Sequence, residues 1–206
     1  MNPPSSKKRI FTLPTFVASA RDLFSQPEAF HAALTPHRVS RTFVEKIMLA
    51  VTQVNGCRYC SYAHTRMALK AGVAEDEMRQ LMAGQFDQSP AAEIVALAFA
   101  QHYADQAGRY DKIAWQRLED TYGLGAAQDI LMNIRLISLA NLYGNTFDAL
   151  LGRFAGRAVP GSRWRDELAV LMLGAIGVPL GILITRLSPR VARFLFTSKH
   201  LHSNHA

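Results

Sequence analysis

The sequence predicts an all-α protein with an apolar helical segment near its C-terminus, and three observations carry that prediction. Apolar residues recur at three- and four-residue spacing, with Ala and Leu abundant, which is the period of an amphipathic helix. Runs of β-branched residues and period-two alternation are scarce. Cap and turn residues punctuate the chain at helical lengths. With 49% of its 206 residues hydrophobic, the chain can build a substantial core without staples.

The elements follow in order. Residues 1–13 read as a flexible arm. Pro14 to Phe24 and Pro27 to Leu34 each read as a short helix, because proline is tolerated in a first helical turn, and Thr35-Pro36 interrupts them. Ser40 is the expected N-cap of a helix from Arg41 to about Val54. Phe43, Ile47, Val51 and Val54 give that helix an apolar stripe, and Asn55-Gly56 ends it. A second helix runs from Cys57 to Lys70, and a short one from Glu75 to Met82. Ser89-Pro90 opens a helix to about Ala107, and Asp111 caps another to Tyr122. Residues 126–151 read as one long helix, bent near Gly144. Short turns between helices predict antiparallel neighbours in a bundle.

Four regions result: an N-terminal arm with short helices (1–38), a helical domain (39–152), a Gly/Arg-rich linker (153–165) and an apolar C-terminal segment (166–206). Leu168 to Thr185 holds eighteen uncharged, mostly apolar residues. As a helix it spans about 27 Å, against roughly 30 Å for a bilayer core. Arg163 and Arg165 precede it, and Arg186, Arg190 and Arg193 follow. Membrane contact through residues 166–196 is therefore expected, with Gly177 and Pro179 leaving a span, a re-entrant insertion or packing in an oligomer open.

The net charge of +7 is uneven. Lys/Arg against Asp/Glu count five to two in residues 1–38, ten to twelve in 39–152 and eight to two in 153–206. Basic character thus sits at the two ends, which suits an anionic surface, and no nucleic-acid motif is present. Lys7, Lys8 and Arg9 precede a short apolar run broken by Pro14, a weak export signal, so a cytoplasmic location is expected. Tail histidines His200, His202 and His205 read as a disordered end, and His102 as a core or interface residue.

The chemistry-bearing stretch is EKIMLAVTQVNGCRYCSYAH, Glu45 to His64. If the two helices fold back about Asn55-Gly56, Glu45 lies about 13 Å from the turn and His64 about 10 Å, so the two meet at similar depth. Cys57, Cys60 and His64 share one helix face. A carboxylate, an imidazole and two thiols in one cluster suit thiol redox chemistry. A helix N-terminus favours the thiolate, a histidine takes its proton, and a carboxylate orients the histidine. Ser61 after Cys60 excludes haem attachment of the C-x-x-C-H type. Zinc held by Cys57, Cys60, His64 and Glu45 and a pair of inert buried cysteines both stay open.

The pattern Glu-x11-Cys-x2-Cys-x3-His, with the small-residue run MALKAG after it, resembles the active-site signature of the AhpD-like alkylhydroperoxidases of the carboxymuconolactone decarboxylase superfamily. The close resemblance covers residues 39–82, with a looser helical similarity to about residue 152. It implies an AhpD-like helical bundle and a thiol-dependent hydroperoxide reductase or disulfide oxidoreductase that needs no cofactor. It further implies that Cys60 attacks the peroxide, that Cys57 resolves the sulfenic acid as a disulfide, and that His64 and Glu45 relay the proton. The implied partners are a hydroperoxide substrate, a thiol or dithiol reductant protein, and further copies of the chain in a trimer or a multiple of it. Arg58 and Tyr59 stand where many members carry a further relay histidine. Two alternatives remain: a lyase of the carboxymuconolactone decarboxylase type, whose members generally lack the cysteine pair, and a non-catalytic, membrane-associated redox sensor.

Overall fold

The computed structural model describes residues 9–34 and 38–197. Thr35-Pro36, most of the predicted arm and the tail histidines lie outside them. Among the described residues the chain forms ten α-helices and no strand. They are α1 (Leu13–Phe24), α2 (Pro27–Leu34), α3 (Arg41–Asn55), α4 (Arg58–Lys70), α5 (Glu75–Met82), α6 (Ala91–Asp105), α7 (Lys112–Tyr122), α8 (Leu124–Phe154), α9 (Trp164–Leu187) and α10 (Pro189–Phe196).

The caps explain the boundaries. Ser40 accepts a hydrogen bond from the Phe43 amide, and Asp111 accepts one from the Ala114 amide, each satisfying a free N–H of a first turn. Gly56 closes α3 in the left-handed region at φ 66°, where a side chain would be strained. Two expected positions move by one residue: Cys57 and Pro90 are N-caps and not first helical residues.

The 31-residue α8 runs through both hydrophobic cores. On one side, Ile130 and Ile134 join Ile47 and Val51 of α3, Leu97 of α6 and Leu118 of α7. On the other, Met132 and Leu139 join Phe16, Leu23 and Phe24 of α1, Phe30 of α2 and Val170 of α9. Residues 9–12, the described end of the predicted arm, are docked. Phe11 is buried edge-on against Phe16, and its amide donates to Thr146 Oγ1 on α8 at 3.0 Å. Burial of this ring and the hydrogen bond to Thr146 both hold the segment against α1 and α8.

The apolar α9 lies against α8 and α1, with α10 folded back onto it. Its buried residues, Glu167, Val170, Gly174, Gly181 and Thr185, line one face. A Cβ on Gly174 would come within 2.1 Å of the Tyr143 ring, and one on Gly181 within 2.6 Å of Phe24. These two glycines let α9 approach the bundle, whereas Gly177, the glycine prominent in the sequence, faces open space. Arg153 at the end of α8 anchors the start of α9, donating to Glu167 at 2.8 and 3.0 Å and to Ser162 Oγ at 2.7 Å. Replacing Gly174 with alanine is expected to destabilise the protein by about 1–3 kcal/mol, because the ring and two helices must move apart. Urea denaturation measures it, with Gly177→Ala, where only the gain of helix propensity of up to about 1 kcal/mol is expected, as the control.

The opposite face of α9 stays exposed: Leu168, Met172, Ile176, Leu180, Leu183 and Leu187 are each at least 43% accessible. Over these twenty residues the stripe is about 28 Å long. This is the one helix among the described residues that is long and apolar enough to cross a membrane, and 22% of its most apolar window is buried.

Candidate active site

The α3–α4 hairpin builds the site. Gly56 reverses the chain, and Asn145 of α8 braces the turn by donating to the Asn55 carbonyl at 2.8 Å and the Arg9 carbonyl at 3.0 Å. One turn earlier on α3, Thr52 donates to Asn141 Oδ1 at 3.2 Å. The two asparagines of α8 thus hold the end of α3 from both sides of its last turn.

Cys57 is fully buried, and its sulfur caps α4 by accepting from the Cys60 amide at 3.3 Å. Cys60 is half-buried on the first turn. The two are joined as a disulfide, with Cα atoms 5.3 Å apart. His64 lies one turn beyond Cys60, and its Nδ1 is 2.8 Å from Glu45 Oε2. Glu45 is 4% accessible, so this carboxylate meets the imidazole away from bulk water. The structure therefore brings together all four sequence-predicted residues on one hairpin. Among the described residues, no group of three or more His, Cys, Asp and Glu side chains is gathered as for a metal ion.

Two features extend the site beyond the motif. Gly144 of α8 passes directly over the disulfide: a Cβ there would lie 3.1 Å from Cys57 Sγ and 3.9 Å from Cys60 Sγ. In the sequence Gly144 reads as a bend; its tertiary role is to leave room for sulfur. The second feature is a clamp formed by Arg58, Tyr59 and Asp148. Arg58 lies over the Tyr59 ring at 4.8 Å and donates to its hydroxyl at 2.8 Å. Tyr59 in turn donates to Asp148 at 3.2 Å, and Arg58 also pairs with Asp148. The side chains between the cysteines are thus committed to α8.

Beside the hairpin lies a buried ion cluster. Lys46 bonds Glu77 of α5 and Glu93 of α6, each at 2.8 Å, and Ser89 donates to Glu77 at 2.9 Å. Burial opposes the Lys46 charge, but the hydrogen bonds to both glutamates prevail and its pKa is raised. His102 is not a core residue of this chain. It is exposed, 3.9 Å from Asp111, because the solvent side of α6 turns it outward.

Residues 21–102 match the model of the carboxymuconolactone decarboxylase family. Over this segment the chain is similar to that family. The match spans α3 and α4 with all four site residues, and it ends within α6. No curated protein and no solved structure matches the chain. The matched segment holds both the cysteine pair and the Glu45–His64 contact.

Proposed function

We propose that the protein is an AhpD-like thiol hydroperoxide reductase. One observation carries the reading: a half-buried Cys60, disulfide-bonded to a buried Cys57, shares a helix with an imidazole 2.8 Å from a buried carboxylate. In the reduced protein, the Cys60 thiolate attacks the terminal peroxide oxygen. The O–O bond breaks, sulfur is oxidised to sulfenic acid, and the alcohol leaves with a proton delivered through His64. The Cys57 thiolate then attacks the sulfenic sulfur, forming the disulfide and releasing water. Two electrons from a thiol or dithiol reductant protein restore both thiols. Glu45, 2.8 Å from Nδ1, orients the imidazole.

The test is peroxide consumption with a dithiol reductant. Cys60→Ser is expected to lose turnover, and Cys57→Ser to stall after one equivalent. Equal turnover in Cys60→Ser and wild type would defeat the proposal. Activity on a carboxylated lactone that survives loss of both thiols would indicate the lyase reading instead.

We also read the exposed stripe of α9, with α10, as a contact with an anionic bilayer. Contiguous exposed apolar surface marks an interaction site, and the arginines at both ends of α9 match acidic headgroups. A homo-oligomer, the other assembly expected of the family, could bury the same stripe. Co-sedimentation with phosphatidylglycerol vesicles separates the two. Wild type is expected to bind and Ile176→Glu/Leu180→Glu to stay in solution. Failure of wild type to sediment, with the variant dissociating an oligomer, would show that the stripe joins subunits.

A further inference from the structure

A cavity of about 1230 Å³ lies apart from the cysteines. The start of α1, the end of α6, the middle of α8, the loop 157–163 and the first turn of α9 wall it, and none of Glu45, Cys57, Cys60 and His64 lines it. Its volume exceeds the roughly 300–1,000 Å³ of ordinary small-molecule pockets.

The lining has two characters. Phe11, Pro14, Ala18, Leu139 and Leu142 supply an apolar wall. Opposed to it are five arginines (Arg9, Arg109, Arg135, Arg157 and Arg163) and three acids (Asp22, Asp166 and Glu167). Glu167 is already neutralised by Arg153, and Arg9 is spent on the Ala104 and Asp105 carbonyls. The excess charge is therefore positive.

The Arg135 guanidinium interacts with the Tyr103 hydroxyl and faces Asp22, yet its Nε is left over. Arg135 Nε and Ser138 Oγ, one turn apart on α8, are buried without a hydrogen-bond partner, and so is Asn55 Nδ2 on the same lining. A buried polar atom that nothing meets is costly, and native proteins carry few. Three on one cavity indicate a polar group that the described residues do not supply. Asp22 does not fill the role: burial pushes its carboxyl pKa up, against the pull of Arg135.

We propose that this cavity binds a single-chain anionic amphiphile, a carboxylate whose head meets Arg135 and Ser138 and whose alkyl chain lies along the Phe11–Leu139–Leu142 wall. The planar guanidinium suits a carboxylate, and the apolar wall excludes a bare anion as the preferred ligand. The site is separate from the thiol chemistry and stands whether or not the peroxidase reading does.

Isothermal titration calorimetry of the full chain tests it with dodecanoate, dodecanol and acetate. Dodecanoate is expected to bind about tenfold or more tightly than dodecanol, with acetate failing to compete. Arg135→Gln should weaken dodecanoate by about tenfold and leave dodecanol unchanged. Ala18→Trp, at an exposed position on the cavity wall, should weaken both; if Arg135→Gln fails to fold, this variant carries the test. Equal binding of dodecanoate and dodecanol, competition by acetate, or dodecanoate affinity unmoved by Ala18→Trp would each overturn the proposal.

Discussion

His64→Ala is expected to lower kcat/KM for hydroperoxide by about 10²–10⁴-fold, the range of a positioned general acid or base. His64 lies one helical turn from Cys60, and its Nδ1 is held at 2.8 Å by Glu45. In the proposed scheme its other ring nitrogen exchanges the thiol proton and protonates the departing alkoxide. Glu45 touches neither sulfur nor substrate in this scheme, so it is a positioning residue. Glu45→Gln should lose less, shift the pH profile of kcat/KM, and add little on top of His64→Ala. Steady-state peroxide consumption from about pH 5 to 9 reads all three variants. Additive losses would contradict the coupling. Turnover of His64→Ala within about twofold of wild type would remove the histidine from the mechanism.

Lys46→Met is expected to cost about 3–5 kcal/mol of stability, the range for removing one partner of a buried ion pair. Two glutamates, from α5 and α6, converge on this one ammonium, and all three carboxylate and ammonium groups lie largely out of water. Removing the cation leaves two like charges facing each other. The triple variant Lys46→Met/Glu77→Gln/Glu93→Gln should recover much of the loss, which urea denaturation would show as a return of the midpoint. A loss below about 1 kcal/mol in the single variant would place the cluster among ordinary surface pairs. The sign of the pH dependence follows from the raised Lys46 pKa. Its stabilisation is complete below the ordinary lysine value of about 10.4 and is lost as pH rises through the higher folded value.

The motif was legible because its geometry is local. Glu45, Cys57, Cys60 and His64 lie on two consecutive helices joined by one turn, so helical rise and period alone place them at matching depth. The helix boundaries were legible for the same reason: Ser40, Gly56 and Asp111 act within one turn of themselves. Gly144 was visible as a glycine in a helix, but not as the residue beneath which the disulfide fits. Asp148 was silent, since nothing local links it to Arg58 and Tyr59, 89 residues away from Tyr59. The buried lysine cluster was silent too: Lys46, Glu77 and Glu93 look like solvated charges until three helices converge on them.

The apolar segment near the C-terminus shows where local rules end. Its composition and length were enough to establish a helix with unusual exposed hydrophobicity, because both are properties of the segment alone. Which glycines matter depends on what lies opposite. Gly174 and Gly181 are contacts because Tyr143 and Phe24 approach them, and Gly177 is not because nothing does. The docking of Phe11 and the large cavity behind it likewise arise from α1, α8 and α9 meeting across more than a hundred residues of chain. Sequence period reports what a helix is; the identity of its neighbours is a long-range property that no short window of residues encodes.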